Sequence, residues 1–235
     1  VGTNSFHIII ASVNARGIFT IHSRDKETVR LGEGSGDMKY LSPEAIERGV
    51  KTMERFAGMA RNAKAVVRAV GTSAVREALN RDIFLQRVQE STGIEIEVIS
   101  GNEEARLIYL GILQALPVYD SRVLFIDIGG GSTETGVGYQ GDLRVMNSAK
   151  LGSIRMTRKF FEREKLTDKD IKQCRNYIKG EWALTFRSLL QEGYEQAVGS
   201  SGTTQTIFSI AYGLQNLPIP ESFNGVTLDR ETLLS

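Results

Sequence analysis

The chain has 235 residues, which is long enough for one or two domains with a sizeable core. It carries 29 basic and 28 acidic residues, and this net charge of +1 is too small to attract the protein as a whole to nucleic acid or to a membrane surface. A single cysteine, Cys174, excludes an internal disulfide framework, and no apolar run reaches transmembrane length. We therefore expect a cytoplasmic protein that binds neither nucleic acid nor membrane.

The first elements along the chain form a plan that occurs again in the second half. Residues 1–23, VGTNSFHIIIASVNARGIFTIHS, predict a Gly-polar turn, a strand, a second turn and another strand. Residues 128–148, IGGGSTETGVGYQGDLRVMNS, have the same order of signals. In this comparison Gly2 matches Gly129 and Ser5 matches Ser132.

Two further landmarks follow the hairpins in both halves. LSPEAIERGVKTMERF from Leu41 and LTDKDIKQCRNYIKGEW from Leu166 each place a Ser or Thr cap ahead of an amphipathic helix. VVRAVGTSA and EQAVGSSGT each run a short strand into Gly-Ser/Thr, with Gly71 matching Gly199. The offsets of 127, 125 and 128 residues indicate two related α/β domains, residues 1–117 and 118–235, with a ligand cleft between them.

The segment ISGNEEARLIYLGIL predicts a turn followed by a helix that begins near Asn102. Ser100 and Glu103 have the spacing of a capping box, which gives Glu103 a local structural role. Glu104 lies in the first helical turn, where the helix dipole favours its ionised form. The sequence leaves two interpretations of Glu104 equally open, a general base and simple dipole complementarity on a solvated face.

In FIDIGGGSTET a buried strand, Val123 to Ile126, runs into three glycines, Ser132 and Thr133. Glycines let backbone N–H groups approach an anion closely, and the hydroxyls add donors. No Gly-Lys-Ser/Thr follows, so the loop is not a Walker-type phosphate loop. Glu134 stands where a dinucleotide-binding fingerprint has its third glycine, so the loop does not match that motif either. The alternation of TGVGY and the turn at QGD predict strand–loop–strand. We favour a phosphate clamp over a plain hairpin because the loop occurs in both halves.

Several polar residues lie near these loops. Asp127 ends the buried strand and Glu134 follows the loop, an arrangement that suits a divalent cation, although a turn cap and an exposed strand residue are the simpler alternatives. VGSSGTTQ, residues 198–205, predicts a strand end, a turn and a helix N-terminus. This helix start either offers free N–H donors to an anion or is simply a helix capped by Ser or Thr. Arg30 and Arg76 are weaker candidates for contacts with a polyanion.

Taken together, GTNSFH, VRLGEG, TSAVREALN, ISGNEEARLIYLG, DIGGGSTE and GSSGT resemble, in this order, the exopolyphosphatase and guanosine pentaphosphate phosphohydrolase (Ppx/GppA) family. That family belongs to the actin-like superfamily, and the resemblance covers essentially the whole chain. It implies two actin-like, ribonuclease H-like α/β domains with the active site between them. The second Glu of SGNEEAR in this family is the catalytic base, which corresponds to Glu104 here. Asp127 and Glu134 correspond to residues associated with a divalent metal, expected to be Mg²⁺.

The resemblance also assigns phosphate contacts to three loops, with the two arginines as additional candidates. These residues are Gly2, Thr3, Asn4, Ser5, Gly129, Gly130, Gly131, Ser132, Thr133, Gly199, Ser200, Ser201, Gly202, Thr203, Arg30 and Arg76. The family's first motif opens with an Asp two residues before its Gly, a position ahead of Val1. From the missing start and from LDRETLLS at the C-terminus we expect the chain to be part of a longer protein.

The resulting hypothesis is hydrolysis of the terminal phosphoanhydride of inorganic polyphosphate, guanosine pentaphosphate or both, by metal-assisted attack of water. Two alternatives belong to other classes, an actin-like kinase that uses a nucleotide and a non-catalytic sensor of guanosine phosphates or polyphosphate. A homodimer is one option for its assembly that the sequence does not decide.

Overall fold

The structure, a computed structural model, describes residues 1–33, 38–162 and 165–234. Gly34, the last residue of the VRLGEG motif, lies outside the described residues. The chain divides into two units, Val1–Ser100 and Gly101–Ser235. No described helix is both long enough and apolar enough to cross a membrane.

The first unit contains two pairs of strands and three helices. A long antiparallel hairpin pairs Ser5–Val13 (β1) with Phe19–Thr28 (β2), and a short parallel pair joins Ala69–Gly71 (β3) to Ile96–Val98 (β4). Its helices are Pro43–Asn62 (α1), Ser73–Glu77 (α2) and Arg81–Thr92 (α3).

Apolar side chains from these elements form one core in the first unit. Phe6 of β1 and Phe84 of α3 are fully buried, with ring centroids 6.2 Å apart. α1 begins at the predicted Ser cap, because the Ser42 side chain accepts a hydrogen bond from the Ala45 N–H at 3.1 Å. Its apolar face then packs into the same core, as the amphipathic pattern predicts.

The second unit is built on a four-stranded sheet with helices. Its elements are Gly101–Ala115 (α4), Val123–Ile128 (β5), Thr133–Tyr139 (β6), Asp142–Ala149 (β7), Ser153–Phe160 (α5), Asp168–Glu192 (α6), Gln196–Ser200 (β8), Ser201–Leu214 (α7) and Arg230–Leu234 (α8). The strand order is β7-β6-β5-β8, in which β5 is antiparallel to β6 and parallel to β8.

The predicted strand–loop–strand arrangement after Ile128 is confirmed. β5 and β6 flank the glycine loop, and a turn connects β6 to β7. The turn residues Gln140 and Gly141 have φ values of 49° and 89°, the positive values that a tight hairpin of primed type requires. This turn reverses the chain between β6 and β7.

The two halves share the loop geometry that the repeat predicted. The Gly2 N–H donates to the Ser5 carbonyl at 3.2 Å, and the Gly129 N–H donates to the Ser132 carbonyl at 3.0 Å. An added Cβ would lie 2.9 Å from the Ser5 oxygen at Gly2 and 3.1 Å from the Ser132 oxygen at Gly129. Each unit therefore contains the same tight turn, which leaves little room for a Cβ at the same position of both.

α4 packs within the second unit. Ala105, Tyr109 and Ile112 are buried against Val123 and Phe125 of β5. The Tyr109 ring lies over the backbone of β6, where a Cβ on Gly138 would approach it to 2.3 Å. The two units divide after Ser100, ahead of α4. The domain boundary that the sequence predicts lies between residues 117 and 118, and it stays a prediction.

Candidate active site

Three acidic residues come together in the second unit. Asp127 of β5 and Glu134 of β6 are paired directly across the antiparallel ladder. Glu104 lies in the first turn of α4, and its negative charge acts on the Glu134 carboxyl. The structure therefore brings the predicted base and both predicted metal ligands into one electrostatic neighbourhood.

Glu134 is the most deeply buried of the three, with 1% of its surface exposed. The Ser148 hydroxyl on β7 donates to its Oε1 at 2.7 Å, and the Ser132 hydroxyl also hydrogen-bonds to it. Burial is the largest influence on its protonation and the charge of Glu104 the next, and together with Asp127 they raise its pKa to about 7 against the two hydrogen bonds. Near neutral pH the side chain is therefore poised between acid and carboxylate.

Asp127 has a similar environment one strand away. Burial raises the pKa of its carboxyl, and a hydrogen bond from the Ser200 hydroxyl to Oδ2 opposes this rise. Ser200 lies beside Asp127 because β8 runs parallel to β5 in that register. Each of the two carboxylates is thus held through one oxygen by a serine from the neighbouring strand.

The glycine loop between β5 and β6 connects the two acids. Ser132 and Thr133 are both buried, and the Thr133 hydroxyl donates to the Leu151 carbonyl at 3.0 Å. The Ser132 side chain is hydrogen-bonded to the Glu134 carboxyl. Both hydroxyls are therefore engaged within the protein, which leaves the backbone N–H groups of the loop as the remaining candidate donors for an anion. The predicted phosphate contacts of these residues stay predictions.

The turn between β8 and α7 lies next to the same loop. At Gly199 an added Cβ would come within 2.6 Å of the Thr204 side chain, so close packing requires glycine there. Ser201 has φ of +78°, a strained value for a residue with a side chain, and its hydroxyl donates to the Ile128 carbonyl at 2.8 Å. Gly202 and Thr203 lie in the first turn of α7. Strain of this kind persists where surrounding contacts enforce it, as they do at many functional sites.

The remaining candidates belong to the first unit. Gly2 to Ser5 form the matching turn, in which Thr3 is buried and its carbonyl accepts from the Gly32 N–H at 2.9 Å. Arg30 has φ of 53°, and its N–H donates to the Asn4 carbonyl at 2.7 Å. Arg76 uses Nη1 to bond the Ile99 carbonyl at 3.0 Å. The structure thus places Arg30 beside the Gly2–Ser5 turn.

The chemistry of the acidic pair fits a hard divalent cation. A buried and a partly buried carboxylate of raised pKa side by side gain stability when a cation offsets their charge. Within the described residues no group of three or more His, Cys, Asp or Glu forms a complete ligand set. A cation held by Asp127 and Glu134 would therefore complete its shell with water and substrate oxygens, as Mg²⁺ commonly does.

Sequence reasoning missed three residues that support this site, namely Ser148, Gly152 and Arg155. Ser148 bonds Glu134, and Gly152 and Arg155 contact the glycine loop. A further match between the halves could have found one of them, Gly152, because the Leu-Gly of VRLGEG occurs again in KLGSIR. In both units this glycine packs against the loop, Gly32 against Thr3 and Gly152 against Gly130.

Known proteins resemble the chain over nearly all of its length. A guanosine-5'-triphosphate,3'-diphosphate pyrophosphatase from Photobacterium profundum is 35% identical over 210 residues, which are 89% of this chain and 42% of that protein. A protein of the same name from Vibrio atlanticus is 34% identical over the same share of each chain. The chain thus spans less than half the length of these relatives.

Solved structures share the fold. An exopolyphosphatase from Cytophaga hutchinsonii superposes with a TM-score of 0.86 at 29% identity, covering 93% of this chain and 70% of that one. A Ppx/GppA family member from Aquifex aeolicus gives a TM-score of 0.72 at 25% identity, covering 99% and 70%. These matches confirm the α/β class.

The model of the Ppx/GppA phosphatase family matches residues 9–229. This match spans most of both units and includes Glu104, Asp127 and Glu134. The chain therefore belongs to the Ppx/GppA phosphatase family.

Proposed function

We propose that the chain hydrolyses the terminal phosphoanhydride of inorganic polyphosphate, guanosine pentaphosphate or both, with water as the nucleophile. The observation that carries this proposal is the grouping of Glu104, Asp127 and Glu134 beside a glycine loop. The names of the relatives, a guanosine-5'-triphosphate,3'-diphosphate pyrophosphatase and an exopolyphosphatase, support the same substrate class.

Glu104 acts as the general base in this proposal. It lies at the N-terminal end of α4, where the helix dipole stabilises its ionised form, and it is less buried than Glu134. An ionised carboxylate in that place orients a water and accepts its proton. Because phosphoryl transfer is largely dissociative, positioning and electrostatics contribute more than the strength of the base.

Asp127 and Glu134 would hold a divalent cation, expected to be Mg²⁺. When bound, such a cation offsets the negative charge of the transferred and leaving phosphates. The chain's own contribution is to keep both carboxylates in place through Ser200 and Ser148, and to present backbone donors from the glycine loop. The leaving group is itself a phosphate, so a separate general acid is not required.

The wider setting follows from the same proposal. We expect the substrate to be inorganic polyphosphate or guanosine pentaphosphate, since both present a terminal phosphoanhydride to the same loop. We place the protein in the cytoplasm, and a homodimer is one form its assembly can take.

Glu104→Gln tests the proposal directly. The amide keeps the size of the side chain but does not accept a proton, so we expect turnover to fall about a hundredfold or more with little change in substrate binding. The measurement is Mg²⁺-dependent phosphate release from long-chain polyphosphate and from guanosine pentaphosphate, side by side.

Glu103→Gln is the matched control for that experiment. Glu103 is the neighbouring acid on the same helix, but it pairs with Arg106 at 2.7 Å on the exposed surface. We expect this variant to keep close to full activity, because exposed pairs contribute little. Near-normal turnover in Glu104→Gln would refute the base assignment. In the wild-type protein, tight binding without turnover would favour the sensor, and consumption of nucleotide only with an acceptor would favour the kinase.

A further inference from the structure

The carbonyl groups of the three loop glycines, Gly129 to Gly131, all face α5. The Gly129 carbonyl accepts from the Ser153 N–H at 2.8 Å, and the Gly130 carbonyl accepts from the Ile154 N–H at 3.0 Å. The Gly131 carbonyl accepts from Nε of the Arg155 side chain at 2.9 Å. Three consecutive peptide planes of the loop are therefore anchored by the first turn of one helix.

This anchoring determines where the N–H groups of the loop point. The chain has no cis peptide bond among its described residues, and in a trans peptide the N–H points opposite to the C=O of the same plane. The partners of the three anchored carbonyls are the N–H groups of Gly130, Gly131 and Ser132. All three therefore point away from α5, and successive N–H groups on one side of a loop form a concave site for an anion.

The three planes differ in what holds them. Backbone N–H groups of α5 hold the first two, and the Ser153 hydroxyl is a second donor to the Gly129 carbonyl at 3.2 Å. The third plane, between Gly131 and Ser132, is held by the Arg155 side chain. Gly131 lacks a Cβ, so the residue's own sterics do not fix this plane and the bond to Arg155 contributes to its orientation.

We infer that Arg155 is a positioning residue, whose Nε–H holds the Gly131–Ser132 peptide so that the Ser132 N–H donates to the terminal phosphate of the substrate. This inference rests on the proposed function, because it assigns the anion that the loop binds. Arg155 acts here through the backbone of the loop and through the position of one hydrogen-bond donor, not through its net charge.

Two substitutions separate the donor from the charge. Arg155→Lys keeps the positive charge but places a methylene where Nε stands, so the donor to the Gly131 carbonyl is lost. Arg155→Gln removes the charge but places an amide nitrogen at the same distance along the side chain, so a donor is kept. A role in positioning predicts that Gln preserves the function of Arg155 and that Lys does not.

The experiment is an NMR titration of the full chain labelled with ¹⁵N-glycine and ¹⁵N-serine. The probe is methylenediphosphonate with MgCl₂, which carries a terminal phosphoryl group that water does not release. In the wild type we expect the amide protons of Gly130, Gly131 and Ser132 to move downfield. In Arg155→Lys the Ser132 shift should fall by more than about half while both glycines still respond, and the Kd of the probe should rise about tenfold. Arg155→Gln should retain all three shifts.

The outcomes distinguish this inference from the proposed function. A full Ser132 shift in Arg155→Lys, or its loss in Arg155→Gln, would overturn the role of Arg155 while leaving the phosphate loop intact. A wild-type protein in which none of the three amides responds would overturn both. If the Lys variant does not fold, the Gln variant alone decides, since its Ser132 amide either responds or does not.

Discussion

At the scale of single residues, the site places acidic side chains where water does not stabilise their charge. Glu134 is almost completely buried and feels the negative charges of Glu104 and Asp127. Two serine hydroxyls compensate in part, yet its pKa remains about 7. The ionised form therefore destabilises the folded protein, and a cation would relieve this cost.

We expect Glu134→Gln to change how stability depends on pH. The pKa of Glu134 is about 7 in the folded protein against an ordinary value of 4.5, so the folded state binds more protons than the unfolded state between these pH values. The free energy of unfolding contributed by Glu134 therefore falls as pH rises through this window, by about 3 kcal/mol at most. The neutral amide lacks this dependence, so the variant should gain stability relative to wild type.

Denaturant unfolding of both proteins from pH 4.5 to pH 8, in a buffer that contains a chelator, measures this difference. Taking the variant minus the wild type cancels the exposed carboxylates, such as Glu47, whose pKa is lowered by Arg87 and which contribute with the opposite sign. A difference that stays constant across this range would show that folding does not raise the pKa of Glu134 above its ordinary value.

Sequence reasoning found the acids but not their supports. Glu104, Asp127 and Glu134 stand out because carboxylates beside a glycine loop and a helix start are chemically suggestive. Ser148 and Arg155 do not, because a serine in a strand and an arginine in a helix are common. Their roles depend on which strand pairs with β6 and on where α5 begins, and these are properties of the tertiary fold.

At the scale of elements, α5 and the glycine loop fit together with little spare space. Gly152 has φ of −69° and ψ of 153°, which any residue can adopt, so its backbone conformation does not require glycine. Its surroundings do, because an added Cβ would lie 2.3 Å from the Gly130 carbonyl carbon and 2.4 Å from its oxygen. The sequence predicted the strands on either side of the loop but not this short helix of 8 residues, which has few turns in which to show a periodic pattern.

We expect Gly152→Ala to lower the free energy of unfolding by about 1–3 kcal/mol and to reduce activity, since α5 must move away from the loop. Gly180→Ala is the control, because Gly180 lies within α6 and, among the described residues outside its own helical backbone, no atom lies within 4 Å of its added Cβ. That change should stabilise the protein by up to about 1 kcal/mol, through the higher helix propensity of alanine. Chemical denaturation and phosphate release measure the two effects, and equal behaviour of the two variants would refute the packing argument.

At the scale of the whole molecule, the three acids and their serine supports all lie in the second unit. The first unit carries its own core and the matching Gly2–Ser5 turn, but none of the three acids. This division was predictable in outline, because the repeat in the sequence showed two related halves. The boundary between the units was not predictable, since the packing of α4 on β5 depends on tertiary contacts that the sequence pattern does not show.

Cation binding should therefore depend on the second unit and not on the turn of the first. We expect Ser5→Ala to leave the Kd for Mn²⁺ within about twofold of wild type, whereas Asp127→Asn should weaken it about tenfold or more, because a charged ligand is lost. Titration calorimetry of the full chain without substrate gives both values. A tenfold effect of Ser5→Ala, or none of Asp127→Asn, would contradict this assignment.

The pKa of Glu134 links cation binding to the release of a proton. With a pKa of about 7, this side chain gains and loses its proton near neutral pH. A cation that binds there displaces that proton, so occupancy acidifies the medium and the apparent affinity rises with pH. Bound metal and bound hydrogen ion are then competitors for one buried carboxylate. A cell that becomes more acidic would lower the fraction of this protein that holds its cation, at an unchanged concentration of metal.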